Sequence, residues 1–278
     1  MPRVEVAEQP GVGLDGSARP SEDVVVVRPD AVIVLDGATS LRTDLPSGGW
    51  YASRLAAAIA ERLEEPHPAD PADVLAAAIR AVSAENGFVA GHSPSSTVAL
   101  LRWTETAVDA LVLGDSPVIA FGPGGPTVLA DDRLAAVPRR GGGGYRTRLR
   151  SGAGYGPDHV AALRESGAAM DRLRNREGGF WVAEADPAAA YRARRARWPR
   201  AEVHAVLMAT DGVSCGVDDY QIFPDWQAVL DLARRHGPRA VLDRVRAAER
   251  SDPDGSRWPR PKPHDDQVLV LVEDMALA

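Results

Sequence analysis

Apolar positions along the chain change period several times, and each change predicts an element. Val24–Val27 and Ala31–Leu35 are short β-branched runs separated by Arg28-Pro29-Asp30, a pattern that predicts a hairpin ending at Asp36-Gly37. A loop with Pro46, Gly48 and Gly49 follows. Trp50, Leu55, Ile59 and Leu63 then share one helical face, and this helix should stop before Pro66. Asp70 followed by Pro71 predicts the cap and first turn of a second helix through about Ser83. Four apolar runs come next: Ser96–Trp103, Ala107–Leu113, Pro117–Phe121 and Thr127–Leu129. Their short connections, rich in Gly, Pro, Thr and Asp, predict antiparallel pairing.

Between 131 and 200 the pattern loosens. It predicts a helix over 158–174, a brief strand at Phe180-Trp181-Val182 and a flexible loop at Gly141–Gly144. Val203–Met208 then predicts a strand leading to Thr210-Asp211-Gly212. Helices are expected at about 224–235 and 238–249, split by Gly237-Pro238. A Pro-rich linker, Ser251–His264, precedes a last strand at Val268–Val272. Strands and helices do not alternate evenly, which argues against a doubly wound parallel sheet and for antiparallel sheets with helices packed outside. No repeat and no linker between two cores interrupts the 278 residues.

Composition narrows the setting. No apolar run approaches the roughly 20 residues of a membrane span. The segment Met1–Pro10 is polar and acidic, unlike a secretory signal. Cys215 is the lone cysteine, so no internal disulfide forms, and a cytoplasmic protein is the expectation. Of 32 basic residues only Lys262 is a lysine, a bias that lowers the weight of any single arginine. Residues 133–200 carry 15 Arg against 6 Asp and Glu in a chain of net charge −7. No aromatic-interleaved RNA motif or zinc-finger spacing accompanies this excess, so a solvated basic surface is expected and a nucleic-acid partner is not. Such a surface can also draw an anionic substrate toward an acidic centre.

The candidate chemistry lies in five acidic segments at or just past apolar runs: Glu22-Asp23, Asp36-Gly37, Gly114-Asp115-Ser116, Thr210-Asp211-Gly212 and Asp265-Asp266. An ionised carboxylate beside buried strand is unfavourable unless a positive group balances it. Five together predict one shared cation site. Carboxylate and carbonyl oxygens suit Mg²⁺ or Mn²⁺. No HExxH or CxxC is present to suit zinc. Glycine after Asp36 and Asp211 fits turns where backbones approach closely. Ser95-Ser96-Thr97 lacks a Gly-x-Ser-x-Gly frame and reads as a strand start, and Cys215 as a small buried hydrophobe.

In order and context, Glu22-Asp23, Asp36-Gly37, Ser95-Ser96-Thr97, Gly114-Asp115-Ser116, Thr210-Asp211-Gly212 and Asp265-Asp266 resemble the motifs of the PPM/PP2C metal-dependent protein phosphatases. The resemblance spans about 15 to 273. It implies an α+β fold: a four-layer αββα sandwich, two central antiparallel sheets flanked by helix pairs, in a single domain over 1–278 with a flap-like insertion at about 131–200. It implies two, or three, Mg²⁺ or Mn²⁺ ions. Asp36 would bridge two of them, with the Gly37 carbonyl on one. Asp211 and Asp265 would bind the first ion, Asp23 would hold metal-bound waters, and Asp115 with Asp211 a looser third ion. Asp266 would stand behind the ligands.

The implied activity is hydrolysis of phosphoserine or phosphothreonine monoesters by a bridging hydroxide, with Asp36, Asp211 and Arg19 in the catalytic set and Arg19 on the phosphate. A small phosphorylated metabolite as substrate, or a weakly metal-binding regulatory protein, are the alternatives. Two departures stand out. Ala38-Thr39-Ser40 follows Asp36-Gly37 where many members carry a histidine proposed as general acid, and Arg19 lies one residue nearer to Glu-Asp than the family arginine. The proton for the leaving group would then come from a metal-bound water or a distant residue. His92 and His264 flank site motifs but read as ordinary loop histidines. The sequence carries no signal for oligomeric state.

Overall fold

The computed structural model describes residues 1–40, 42–64, 70–137 and 144–275; Pro66 and Gly141–Gly143 lie outside them. Ten strands among the described residues form two five-stranded antiparallel sheets. The first runs β1 (Arg3–Gln9), β10 (Gln267–Glu273), β9 (Ala205–Ala209), β6 (Val118–Gly122), β7 (Gly125–Leu129). The second runs β2 (Asp23–Val27), β3 (Ala31–Asp36), β4 (Val98–Trp103), β5 (Ala107–Leu113), β8 (Arg194–Pro199).

Burial on both faces explains why the central strands read as unbroken apolar runs. Along β3, Val32 and Val34 enter the layer between the sheets, where Leu101, Val112, Met208 and Val270 meet them. Ile33 and Leu35 point the other way, into a core with Leu55, Ile59, Leu75 and Ile79. Those last residues belong to α1 (Gly48–Arg62) and α2 (Pro71–Asn86), which cover the second sheet. The first sheet is covered by α6 (Asp211–Asp218), α7 (Trp226–His236) and α8 (Arg239–Arg250) through Val213, Val229, Leu230, Leu242 and Val245. The expected α+β sandwich of two sheets between helical layers is therefore the fold.

Asp70 and Pro71 act as predicted, and Ser47 and Gly87 supply caps that the sequence analysis did not single out. Ser47 Oγ accepts from Trp50 N at 3.2 Å at the start of α1. Asp70 accepts from Ala72 N at 2.8 Å ahead of Pro71, and Gly87, at φ 67°, ends α2. The described residues between 131 and 200 include α3 (Arg133–Ala136), α4 (Tyr145–Arg150) and α5 (Pro157–Asp171), with a satellite core of Val137, Phe180 and Val182. No helix among the described residues is long and apolar enough to cross a membrane.

Five segments differ from the sequence expectation. β1 and β8 are edge strands whose polar residues hide the period: in β8, Arg194, Arg195, Arg197 and Pro199 surround Ala196 and Trp198, and of these six only Trp198 packs on the inter-sheet core. Phe180-Trp181-Val182 forms no strand, because the Asn175 side chain takes both backbone groups of Val182, at 2.9 and 3.1 Å. The turn after β9 runs straight into α6, a short helix with two glycines. The Pro-rich stretch before β10 is an ordered strap rather than a linker. Its hub is Arg260, whose guanidinium donates to the carbonyls of Glu249, Asp252, Trp258 and Pro263 and to Asp252 Oδ2, using all five N–H donors.

Close backbone approach fixes two glycines. A Cβ on Gly37 would lie 2.3 Å from the Gly48 carbonyl carbon, and one on Gly212 would lie 1.9 Å from the Asp266 carbonyl oxygen. Alanine at either position should lower stability by about 1–3 kcal/mol, the usual range for overpacking. Urea unfolding measures this; unchanged midpoints would mean that α1 or α6 shifts freely against the strand ends.

Candidate metal centre

The acidic segments meet because four strands end, or begin, at one end of the sandwich. Asp23 opens β2 directly opposite Asp36, which closes β3. Thr210 follows β9, its N–H donates to the Val268 carbonyl of β10 at 3.1 Å, and its Oγ1 accepts from Val268 N at 3.0 Å. The same hydroxyl donates to Asp23 Oδ2 at 2.8 Å and so ties one sheet to the other. Asp211 opens α6, where the helix dipole favours a carboxylate.

Ser95-Ser96-Thr97 supplies backbone control. Ser96 Oγ and Thr97 N donate to the Asp36 carbonyl at 2.8 and 2.9 Å, and Asp36 N donates to Thr97 Oγ1 at 3.1 Å. Thr97 Oγ1 also shares a 2.7 Å hydrogen bond with Ser116 Oγ, linking the Asp115 turn to Asp36. In that turn Gly114 sits at φ 87°, a left-handed conformation that favours glycine.

Gathering these carboxyls raises their proton affinity. Burial, with Asp265 and Asp266 adding to it against the Thr210 hydrogen bond, pushes Asp23 up to about 8. Asp36 is held well above the ordinary carboxylate range by burial and then by Asp211, Asp23, Asp265 and Asp115. Asp211 is raised in the same way by burial, Asp265 and Asp115, although its side chain hydrogen-bonds that of Asp36. Asp115 is raised by burial and by Asp131 and Asp265. As residues, Asp36, Asp115, Asp211 and Asp265 are partly exposed, whereas Glu22, Asp23 and Asp266 are buried.

Two cationic side chains stand in the cluster. Arg19 pairs with Glu22 and with Asp266 Oδ2 at 2.6 Å, and reaches Thr39 Oγ1 at 3.4 Å. Lys262 Nζ is buried 2.7 Å from Asp265 Oδ1, 3.4 Å from Asp266 Oδ2 and 3.3 Å from Thr39 Oγ1. Thr39 itself donates to Glu22 Oε2 at 2.7 Å.

The predicted site residues thus fall into three groups. Asp36 and Asp211 touch, and Asp23 joins them through Thr210. Asp115 and Asp265 lie within electrostatic reach of that pair. Asp266 is taken up by Gly11 N at 2.8 Å, Arg19 and Lys262, which suits a place behind the ligands. Among the described residues no three His, Cys, Asp or Glu side chains already stand in ligating geometry. The donor set nonetheless fits a hard divalent ion, since it consists of oxygens whose negative charge Arg19 and Lys262 balance only in part.

His92, His264 and Cys215 engage other groups. His92 is exposed beside Arg42 and Asp44, and His264 faces Glu249 at 3.1 Å. Burial drives the Cys215 thiol well above its ordinary value, which suits the reading as a small hydrophobe. Sequence reasoning missed Lys262, Thr39 and Thr210. For Lys262 a signal existed: it is the sole lysine and stands three residues before Asp265.

No protein-family model and no curated protein sequence matches the chain. Solved structures do. The serine/threonine phosphatase PstP/Ppp of Mycobacterium tuberculosis matches with a TM-score of 0.57 at 12% identity, covering 98% of each chain. The catalytic domain of PstP in complex with two manganese ions matches with a TM-score of 0.57 at 13% identity, over 98% of this chain and 97% of that one. Stp1 of Staphylococcus aureus matches with a TM-score of 0.56 at 12% identity, over 98% and 95%. The chain has a PP2C-type fold. In this PP2C-type fold the acidic cluster occupies one end of the two-sheet sandwich.

The raised carboxyls set a pH dependence. A carboxyl of higher pKa folded than unfolded binds more protons in the native state, so stability falls as pH rises between the two values. For Asp23 that window runs from about 4 unfolded to about 8 folded. In chelator, the unfolding midpoint should therefore fall steadily from pH 5 to pH 8. Added Mn²⁺ should stabilise more at pH 8 than at pH 5, because it binds the deprotonated groups. Calorimetric melts across that range check both slopes.

Proposed function

We propose that this protein is a Mg²⁺- or Mn²⁺-dependent phosphomonoester hydrolase acting on phosphoserine and phosphothreonine in proteins. One observation carries the reading: Asp23, Asp36, Asp115 and Asp211 meet at one end of the sandwich with proton affinities raised by burial and by one another. Groups in that state hold either protons or a cation at neutral pH.

In this reading Asp36, the Gly37 carbonyl, Asp211 and Asp265 would hold the two principal ions, and Asp115 with Asp211 would hold a looser third. When bound, such ions lower the pKa of a shared water and offset the charge that grows on the phosphoryl oxygens. Asp23 orients water, held in place by the Thr210 hydroxyl. Arg19 presents its guanidinium to a phosphoryl oxygen, kept in position by Glu22 and Asp266. Ala38-Thr39-Ser40 offers no imidazole to the leaving group. Esters of poor leaving groups should accordingly turn over more slowly than activated aryl esters.

The fold neighbours described as serine/threonine phosphatases support a protein substrate over a small metabolite. Hydrolysis of an aryl phosphate with Mn²⁺ tests the site. Asp211→Asn should lower kcat/KM by more than the roughly 100-fold that loss of a group behind the ligands costs, with the melting curve in chelator retained. Normal turnover by that variant would refute the assignment. A phosphopeptide panel run beside phosphorylated metabolites tests the substrate class, and a clear preference for metabolites would transfer the activity to small molecules.

A further inference from the structure

Of the two cations in the acidic cluster, Arg19 and Lys262, the proposed chemistry leaves Lys262 unused. Its ammonium sits against Asp265 Oδ1 at 2.7 Å, with Asp266 Oδ2 and Thr39 Oγ1 at 3.4 and 3.3 Å. Asp265 Oδ1 also accepts from Asp266 N at 2.9 Å, so one oxygen of that carboxylate is fully engaged. The side chain is buried, and it rises from the strap that Arg260 fixes through five hydrogen bonds. A second anchor, from Arg246 Nη2 to the Asp265 carbonyl at 2.7 Å, holds the carboxylate's own backbone. Both partners of the ion pair are therefore carried on constrained chain.

We infer that Lys262 is a built-in counter-ion that competes with a divalent cation for Asp265 and so sets how tightly this chain binds metal. The inference rests on the metal-dependent reading above. An ammonium and a divalent ion cannot share one carboxylate oxygen without strong repulsion. An ion on Oδ1 thus requires Lys262 to turn toward Asp266 and Thr39, both already within reach of Nζ, and an ion on Oδ2 is weakened by the ammonium on the neighbouring oxygen. In the metal-free site burial opposes the charge, but Asp265 and Asp266 outweigh it and hold Lys262 above its ordinary value. While the ion is absent, the ammonium relieves repulsion among the carboxyls.

The test is calorimetric titration of the full chain with MnCl₂ at fixed pH and salt, paired with melts in chelator. Lys262→Met and Lys262→Gln, both neutral, should bind Mn²⁺ about tenfold more tightly or better, and should melt lower than the parent in chelator. Lys262→Arg, which keeps the charge, should bind no more tightly than the parent. The Lys262→Met gain should disappear in an Asp265→Asn background. Equal or weaker Mn²⁺ binding by both neutral variants overturns the inference and leaves the hydrolase reading standing, as does a gain that persists without the Asp265 carboxylate. Mn²⁺ binding by neither the parent nor any variant overturns both. If Lys262→Met fails to fold without metal, Lys262→Gln decides, since its amide can still hydrogen-bond to Asp265.

Discussion

Repulsion among carboxylates at one end of a β-sandwich is the constraint on which the rest of the structure depends. Glu22, Asp23, Asp36, Asp115, Asp211, Asp265 and Asp266 come from the ends of strands in both sheets, yet Arg19 and Lys262 are the cations paired within them. Such a gathering does not stabilise a fold. It persists because the strands carrying it are buried on both faces, with Ile33, Leu35, Leu207 and Leu269 facing helices and Val34, Met208 and Val270 facing the opposite sheet. Hydrophobic burial holds the acidic groups where they would not go by themselves. That stored electrostatic strain is what a cation can relieve.

The neutral polar residues around the cluster set its geometry. Thr210 accepts from β10 and donates to Asp23, so a single hydroxyl fixes the spacing between sheets at the site. Thr97 does the same between Asp36 and the turn of Asp115. Where no side chain could fit, Gly37 meets Gly48 and Gly212 meets the Asp266 carbonyl, backbone on backbone. The carboxylates therefore adjoin backbone held by close packing and hydrogen bonds, which keeps the reorganisation needed for cation binding small.

The central strands and the acidic segments were legible because their signals are local: a β-branched run ending in Asp-Gly reads the same in any fold. The helices over 48–62 and 71–86 were legible for the same reason, through the face of Trp50, Leu55 and Ile59 and through Asp70 and Pro71. What stayed hidden depends on partners distant in sequence. β1 and β8 are strands only because β10 and β5 offer them an edge. The stretch before β10 reads as a linker until Arg260 is seen to collect its carbonyls. Phe180-Trp181-Val182 has β composition, but the Asn175 amide takes the place of a neighbouring strand. At the site, residue types pointed to the cation chemistry, while the pairing of Lys262 with Asp265 needed three dimensions.

The choice of cation at each position follows the task. Arg19 must hold a fixed orientation, and a planar fork gripping Glu22 and Asp266 does so. Lysine carries a compact charge on a flexible stem, which can leave one oxygen for another a few ångströms away without breaking a bidentate pair. In a chain that uses arginine for every other basic residue, position 262 is where that property matters. An arginine there would grip Asp265 and Asp266 together and resist the ion, whereas a neutral residue would leave the carboxyls crowded in its absence. The lysine lies between those extremes: it supports the site when no ion is bound and yields when one arrives.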